Sequence, residues 1–114
     1  MCKLAPSAPI PVDILTWEFT VFLRTPDEVT LICPTTIAPI AVKVESGWIA
    51  LELVGPFDFG QTGILMQVAK PLAASGVAIY ALSTFNTDYV LVKADKRTLA
   101  QEALQKTGHR FIED

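Results

Sequence analysis

The sequence predicts an α+β fold whose second half runs in the split order β-α-β-β-α-β, with two helices over one face of an antiparallel sheet. Three observations predict it. The runs WIALELV (48–54), VAIYALST (77–84) and YVLVK (89–93) are rich in strand-forming residues and bounded by turn chemistry. Between them, TGILMQVAKPLAAS (62–75) places Ile64, Leu65, Val68 and Leu72 at helical spacing, and KRTLAQEALQKT (96–107) does the same with Leu99, Ala103 and Leu104. Glycines follow both helical runs, at Gly76 and Gly108, where a left-handed C-terminal cap is needed.

Each element has a local reason. Thr62 and Asp95 are suited to cap the two helices at their N-termini, and Glu102 and Lys106 stand four residues apart as a helix-surface ion pair. FNTD (85–88) turns the chain between two strands, and HRFIE (109–113) closes the order as a short final strand. Pro71 sits within the first helix, where its missing N–H must leave one carbonyl without a helical partner.

The first half has another rhythm. Pro6, Pro9 and Pro11 exclude a regular helix from APSAPIPVD (5–13). EFTVFLRT (18–25) and VTLIC (29–33) then read as a hairpin closed by PDE, and IAVKVES supplies one more β-like stretch before Gly47. Only PVDIL and PTTIAP leave room for helical turns. The expectation is a β-rich first region, 1–46, and a complete α+β region, 47–114.

Composition narrows the classes of function. At 114 residues, 51% hydrophobic and 18% charged, the chain has the makeup of a folded globular protein. The mean hydropathy of +0.41 favours apolar surface covered by a partner, most simply in a homodimer. A net charge of −3, with nine scattered basic residues, gives no footprint for nucleic acid. No apolar run is long enough to span a bilayer, and MCK leads into prolines rather than a signal peptide's apolar stretch, so the expected place is the cytoplasm. Cys2 and Cys33, far apart in sequence, signal neither metal site nor disulfide; Cys33 reads as a small buried hydrophobe and Cys2 as an inert terminal thiol.

Chemistry-bearing residues point to binding rather than catalysis. His109, the one histidine, follows a helix stop with no nucleophile in a known spacing, and no phosphate loop, dinucleotide fingerprint or zinc motif occurs. No enzyme activity, cofactor or metal is therefore expected. In a right-handed β-α-β unit the two strands run parallel, so the loops FGQTG and TFNTD leave the sheet at one edge. The first ends at a helix N-terminus around Thr62, Gly63 and Ile64, whose unpaired amides favour an anion. The second carries Asp88, an acceptor for an ammonium. Such a pair is complementary to a zwitterion, of which an amino acid is the simplest. The competing reading is that Asn86 and Asp88 only organise a turn, and that Gly60 and Gly63 serve turning and packing.

TGIL, KPLA, GVAIYALSTFNTDYVLVK and ALQKTGH together resemble the ACT domain, in particular small bacterial tandem-ACT proteins and the related arginine sensors of a mammalian growth-control pathway. FLRTPDEVTLICP is similar to the first half of such proteins. The resemblance implies a ferredoxin-like βαββαβ ACT module preceded by a degenerate, β-rich ACT-like half. It implies a small-molecule ligand, an amino acid, and a sensor or regulatory role. Carried over by position, the ligand contacts are Gln61, Thr62, Gly63 and Ile64 in the first loop and Thr84, Phe85, Asn86 and Asp88 in the second. The arginine sensors carry an acid at the position of Gln61; the neutral residue here argues against arginine. The tandem relatives also have a β-segment ahead of the position of Met1, which would leave the first module short of an edge strand. The alternative function is an interaction module that pairs with another subunit and binds no ligand.

Overall fold

In the computed structural model, residues 1–35, 43–54 and 63–112 are described, and they divide into two compact units, Met1–Gly47 and Trp48–Asp114. The first is built on a four-stranded antiparallel sheet of order β2-β3-β1-β4, comprising β1 (Cys2–Leu4), β2 (Val21–Arg24), β3 (Val29–Ile32) and β4 (Lys43–Val44). The hairpin β2–β3 arises where the sequence predicts it, closed by a Thr25 amide bond to the Glu28 carbonyl at 2.9 Å. Strand β1 was not foreseen, and it lies inside the sheet, pairing Cys2 with Leu31 on one side and with Val44 on the other. Three residues ahead of a proline-rich segment show too little alternation to announce a strand; long-range pairing makes it one.

Cys2, Val29 and Leu31 are among the most deeply buried side chains, so Cys2 is a core residue and not an inert terminal thiol. Cys33 is only half-buried, just past the end of β3. The proline-rich segment carries a single 3₁₀ turn, Ile14–Thr16, and leaves Val12 and Leu15 almost fully exposed. The second helical candidate of this half, PTTIAP, lies mostly outside the described residues.

The second unit follows the predicted order: β5 (Trp48–Glu52), α1 (Ile64–Ala74), β6 (Tyr80–Ser83), β7 (Asp88–Lys93) and α2 (Arg97–Lys106). Its sheet has the order β5-β7-β6, with β7 antiparallel to both neighbours. Strands β5 and β6 therefore run parallel to each other, as a β-α-β crossover requires. Val90 and Val92 of β7 meet Val68 and Leu72 of α1 and Ala100, Ala103 and Leu104 of α2 in one core, edged by Ile49 and Leu51 of β5 and by Leu53 just beyond it. Burying each large aliphatic side chain stabilises the unit by about 1.5–3 kcal/mol.

Local details depart from the prediction in four places. Helix α2 is preceded by a 3₁₀ turn, Ala94–Lys96, that takes up Asp95, so Lys96 and not Asp95 occupies the capping position. The later start turns Ala100 inward and leaves Leu99 exposed. Glu102 and Lys106 do not pair; among the described residues the ion pair is Lys3–Glu28, at 3.9 Å. Residues 109–112 form no strand, because His109 is drawn back to the helices and Phe111 packs against the core. Thr62, the predicted cap of α1, lies outside the described residues, and Gly63 holds the capping position with φ 77°.

Both helices end as their glycines predict. The amides of Gly76 and Val77 bond to the carbonyls of Ala73 and Leu72, and those of Gly108 and His109 to the carbonyls of Gln105 and Leu104. This paired closure needs a left-handed residue, supplied by Gly76 at φ 75° and Gly108 at φ 95°. It also accounts for Pro71. The proline has no N–H for the carbonyl of Gln67 four residues earlier, and the turn at Gly108 aims the His109 ring there, with Nε2 at 3.0 Å. A carbonyl only accepts, so Nε2 carries the proton.

Candidate ligand site

The edge of the second sheet at which β5 and β6 end carries Thr84, Phe85, Asn86 and Asp88 of the residues singled out by the sequence. Strand β7 starts between those two ends. The Leu53 amide bonds to the Asp88 carbonyl at 3.0 Å, and the Thr87 hydroxyl donates to the Leu53 carbonyl. The β6–β7 turn is thus fastened to the end of β5, and the two loops leave one edge, as the parallel relation of β5 and β6 predicts.

The turn itself is saturated by threonines. The Thr84 amide and hydroxyl both donate to the Thr87 carbonyl, at 2.8 and 3.1 Å, and the Thr87 amide donates to the Thr84 hydroxyl at 3.1 Å. Thr87, absent from the residues expected at the site, supplies this lock; its spacing from Thr84 was the available signal, since hydroxyls bond to backbone three residues away in such turns. Asn86 stands exposed at the tip and Phe85 is 78% exposed.

Asp88 lies at the base of the turn, half-buried, and its Oδ1 accepts a hydrogen bond from the Ser83 hydroxyl at 2.6 Å. That bond fixes the carboxylate while its other oxygen retains acceptor capacity. Across the crossover, Gly63 and Ile64 open α1, where the Gln67 amide makes the first helical bond, to the Gly63 carbonyl at 3.1 Å. The amides of a first turn have no partner within the helix and present partial positive charge. Gln61 and Thr62 lie outside the described residues.

The unit also has a cavity of about 830 Å³ along β5, α1, α2 and residues 108–112. Ile64 lines it, but Thr84, Phe85, Asn86 and Asp88 do not. The structure therefore joins Thr84, Phe85, Asn86 and Asp88 in one turn beside β5, and places Gly63 and Ile64 at the head of the helix that follows β5, without enclosing all of them in one pocket. Among the described residues no group of three or more His, Cys, Asp or Glu side chains is arranged to hold a metal. Among them, too, no helix is long and apolar enough to cross a membrane.

Antiparallel sheet, two helices packed in one core with it and a paired-loop edge define a ferredoxin-like α+β module. A model of the ACT domain matches residues 43–106, more than half of the chain, and the protein belongs to the ACT family. Over 60 residues it is 40% identical to cytosolic arginine sensor for mTORC1 subunit 1 of Rattus norvegicus and to the same protein of Homo sapiens. That match takes in 52% of this chain and 18% of the sensor, so the chain corresponds to a small part of those relatives. A crystal structure of protein Atu0741 from Agobacterium tumefaciens superposes with a TM-score of 0.87 at 33% identity, covering 96% of this chain and 82% of that one. Protein VC0802 of Vibrio cholerae, described as a possible transport protein, shares the fold, with a TM-score of 0.66 at 17% identity over 95% of this chain and 81% of that one.

Proposed function

We propose that the protein is a regulatory or sensor subunit that binds a small zwitterion, an amino acid, at the edge formed by the β5–α1 crossover and the β6–β7 turn. The observation that carries this is the Asp88 carboxylate, oriented by Ser83 at the edge where β5 and β6 end. The carboxylate takes the ammonium and the first-turn amides take the carboxylate of the ligand, through charge-assisted bonds. Gln61, Thr62, Gly63 and Ile64 form the first half of this site, and Thr84, Phe85, Asn86 and Asp88 the second. Family membership and the arginine-sensor relatives support the class of ligand; the neutral Gln61 favours an amino acid other than arginine.

In this reading the protein is not an enzyme, works in the cytoplasm as a homodimer, and Met1–Gly47 is a degenerate ACT-like module. The exposed Val12 and Leu15 support an assembly that covers apolar surface.

A thermal-shift series over the common amino acids tests the proposal. A ligand at 100 times its Kd adds about 2.7 kcal/mol of stability if it binds only the folded state. Asp88→Ala is expected to abolish the shift and Asp27→Ala, in the β2–β3 turn of the other unit, to leave it intact. Equal effects would place the ligand elsewhere. The second reading, an interaction module without a ligand, is favoured by the threonine-saturated turn, which closes without one. No shift with any amino acid at millimolar concentration would establish it over the first.

A further inference from the structure

The protein contains two cysteines, 31 positions apart, and both belong to the first unit. The register of β1 on β3 sets Cys2 opposite Leu31. Side chains alternate along a strand, so Cys33, two residues beyond Leu31, emerges on the same face as Cys2 and diagonal to it. Both are free thiols. Burial, and with it the neighbouring Cys2, pushes the Cys33 thiol up. Cys2 is 2% exposed, whereas Cys33 is accessible from solvent.

We infer that Cys2 and Cys33 are a dithiol pair that closes into a disulfide across the β1–β3 ladder, a reversible staple of the first sheet. Its oxidant is a small-molecule disulfide such as oxidised glutathione. The accessible Cys33 attacks first as its thiolate, forming a mixed disulfide and releasing one glutathione thiol. The Cys2 sulfur then loses its proton and displaces the second glutathione. Two protein thiols are oxidised to one disulfide, and one glutathione disulfide is reduced to two thiols. Because burial pushes the Cys33 thiol up, less of it is thiolate and exchange slows, so the pair responds to a sustained change of redox poise rather than a brief one. The bridge ties the strand at the start of the chain to the residue that follows β3, closing a loop that includes the proline-rich segment and the β2–β3 hairpin.

Incubation of the protein with oxidised glutathione, followed by intact-mass measurement and non-reducing electrophoresis, tests the pair. The expected product is a monomeric chain lighter by two hydrogens, restored by dithiothreitol, with a Tm raised by roughly 5–10 °C. Cys2→Ala is expected to stop at the glutathione adduct on Cys33. Cys33→Ala is expected to remain unmodified, since its remaining thiol is buried. A stable glutathione adduct on the unsubstituted chain, a covalent dimer, or two intact thiols after prolonged exposure would each overturn the inference.

Discussion

The two units solve the same problem, a sheet with an apolar face, by different means. In Trp48–Asp114 the sheet is covered by two amphipathic helices, whose buried positions Val68, Leu72, Ala100, Ala103 and Leu104 form one core with Val90 and Val92. In Met1–Gly47 the described residues contain no α-helix, only 3₁₀ backbone at Ile14–Thr16 and at Thr35, and the prolines ahead of the first turn exclude a regular helix there. The family match agrees with this contrast, beginning at β4 and running through α2. The difference teaches that strand pairing and helix cover are separable parts of this fold: among its described residues the first unit keeps four strands in register without an α-helix.

Core truncation breaks the comparison most forcefully. Leu72 and Leu31 are both fully buried, one in a helix of the second unit and one in a strand of the first. Leu72→Ala is expected to cost about 3–5 kcal/mol, at the upper part of the range for such cavities, because α1, α2 and β7 all lose contacts. Leu31→Ala is expected to cost less, about 2–3 kcal/mol, since among the described residues of its unit no α-helix packs on the sheet. Urea midpoints of the two variants decide it, and equal losses would mean that the first sheet is packed as tightly as the second.

A smaller effect sharpens the account of the helical layer. His109→Ala removes the donor to the Gln67 carbonyl and is expected to cost about 0.5–1.5 kcal/mol. In a Pro71→Ala background the helix recovers its own N–H at position 71, so the same histidine substitution is expected to cost only a few tenths of a kcal/mol. A double-mutant cycle measures the difference as a coupling between the two sites. Absence of coupling would show that water, not His109, serves that carbonyl.

The smallest predicted effect belongs to the first unit alone. Burial, then Cys2, raises the Cys33 thiol's affinity for its proton in the folded state, with the Met1 ammonium opposing them. The folded chain therefore holds the proton more tightly than the unfolded one. The resulting stability is complete below the unfolded thiol range, about pH 8.5, and declines as pH rises through it toward the folded value. Thermal melts above that pH should show the unsubstituted protein losing stability faster than Cys33→Ala. Parallel curves would remove Cys33 as the cause.

Much of the second unit was legible in the sequence because its signals are local. The spacing of Val68 and Leu72, the glycines at 76 and 108 and the turn residues 84–88 each act within a few residues, through helix periodicity, left-handed backbone and side-chain-to-backbone bonds. The common edge of the two candidate loops was legible too, since a right-handed crossover fixes it. The commitment of the Asp88 carboxylate to Ser83 was not: five residues separate them, and only the pairing of β6 with β7 brings them face to face.

By itself, then, the sequence determined the order β5-α1-β6-β7-α2 in Trp48–Asp114, the C-terminal ends of its helices and the α+β class, all consequences of short-range chemistry. Tertiary structure alone decided that Cys2–Leu4 is an interior strand, that Cys2 lies beside the strand leading into Cys33, and that His109 answers the carbonyl left open by Pro71. Those three features join residues 29, 31 and 42 positions apart, with β1 represented by Cys2 opposite Leu31. The reason is physical: a pairing of that span costs loop entropy that only the collected burial of the folded unit offsets, and no local pattern records it.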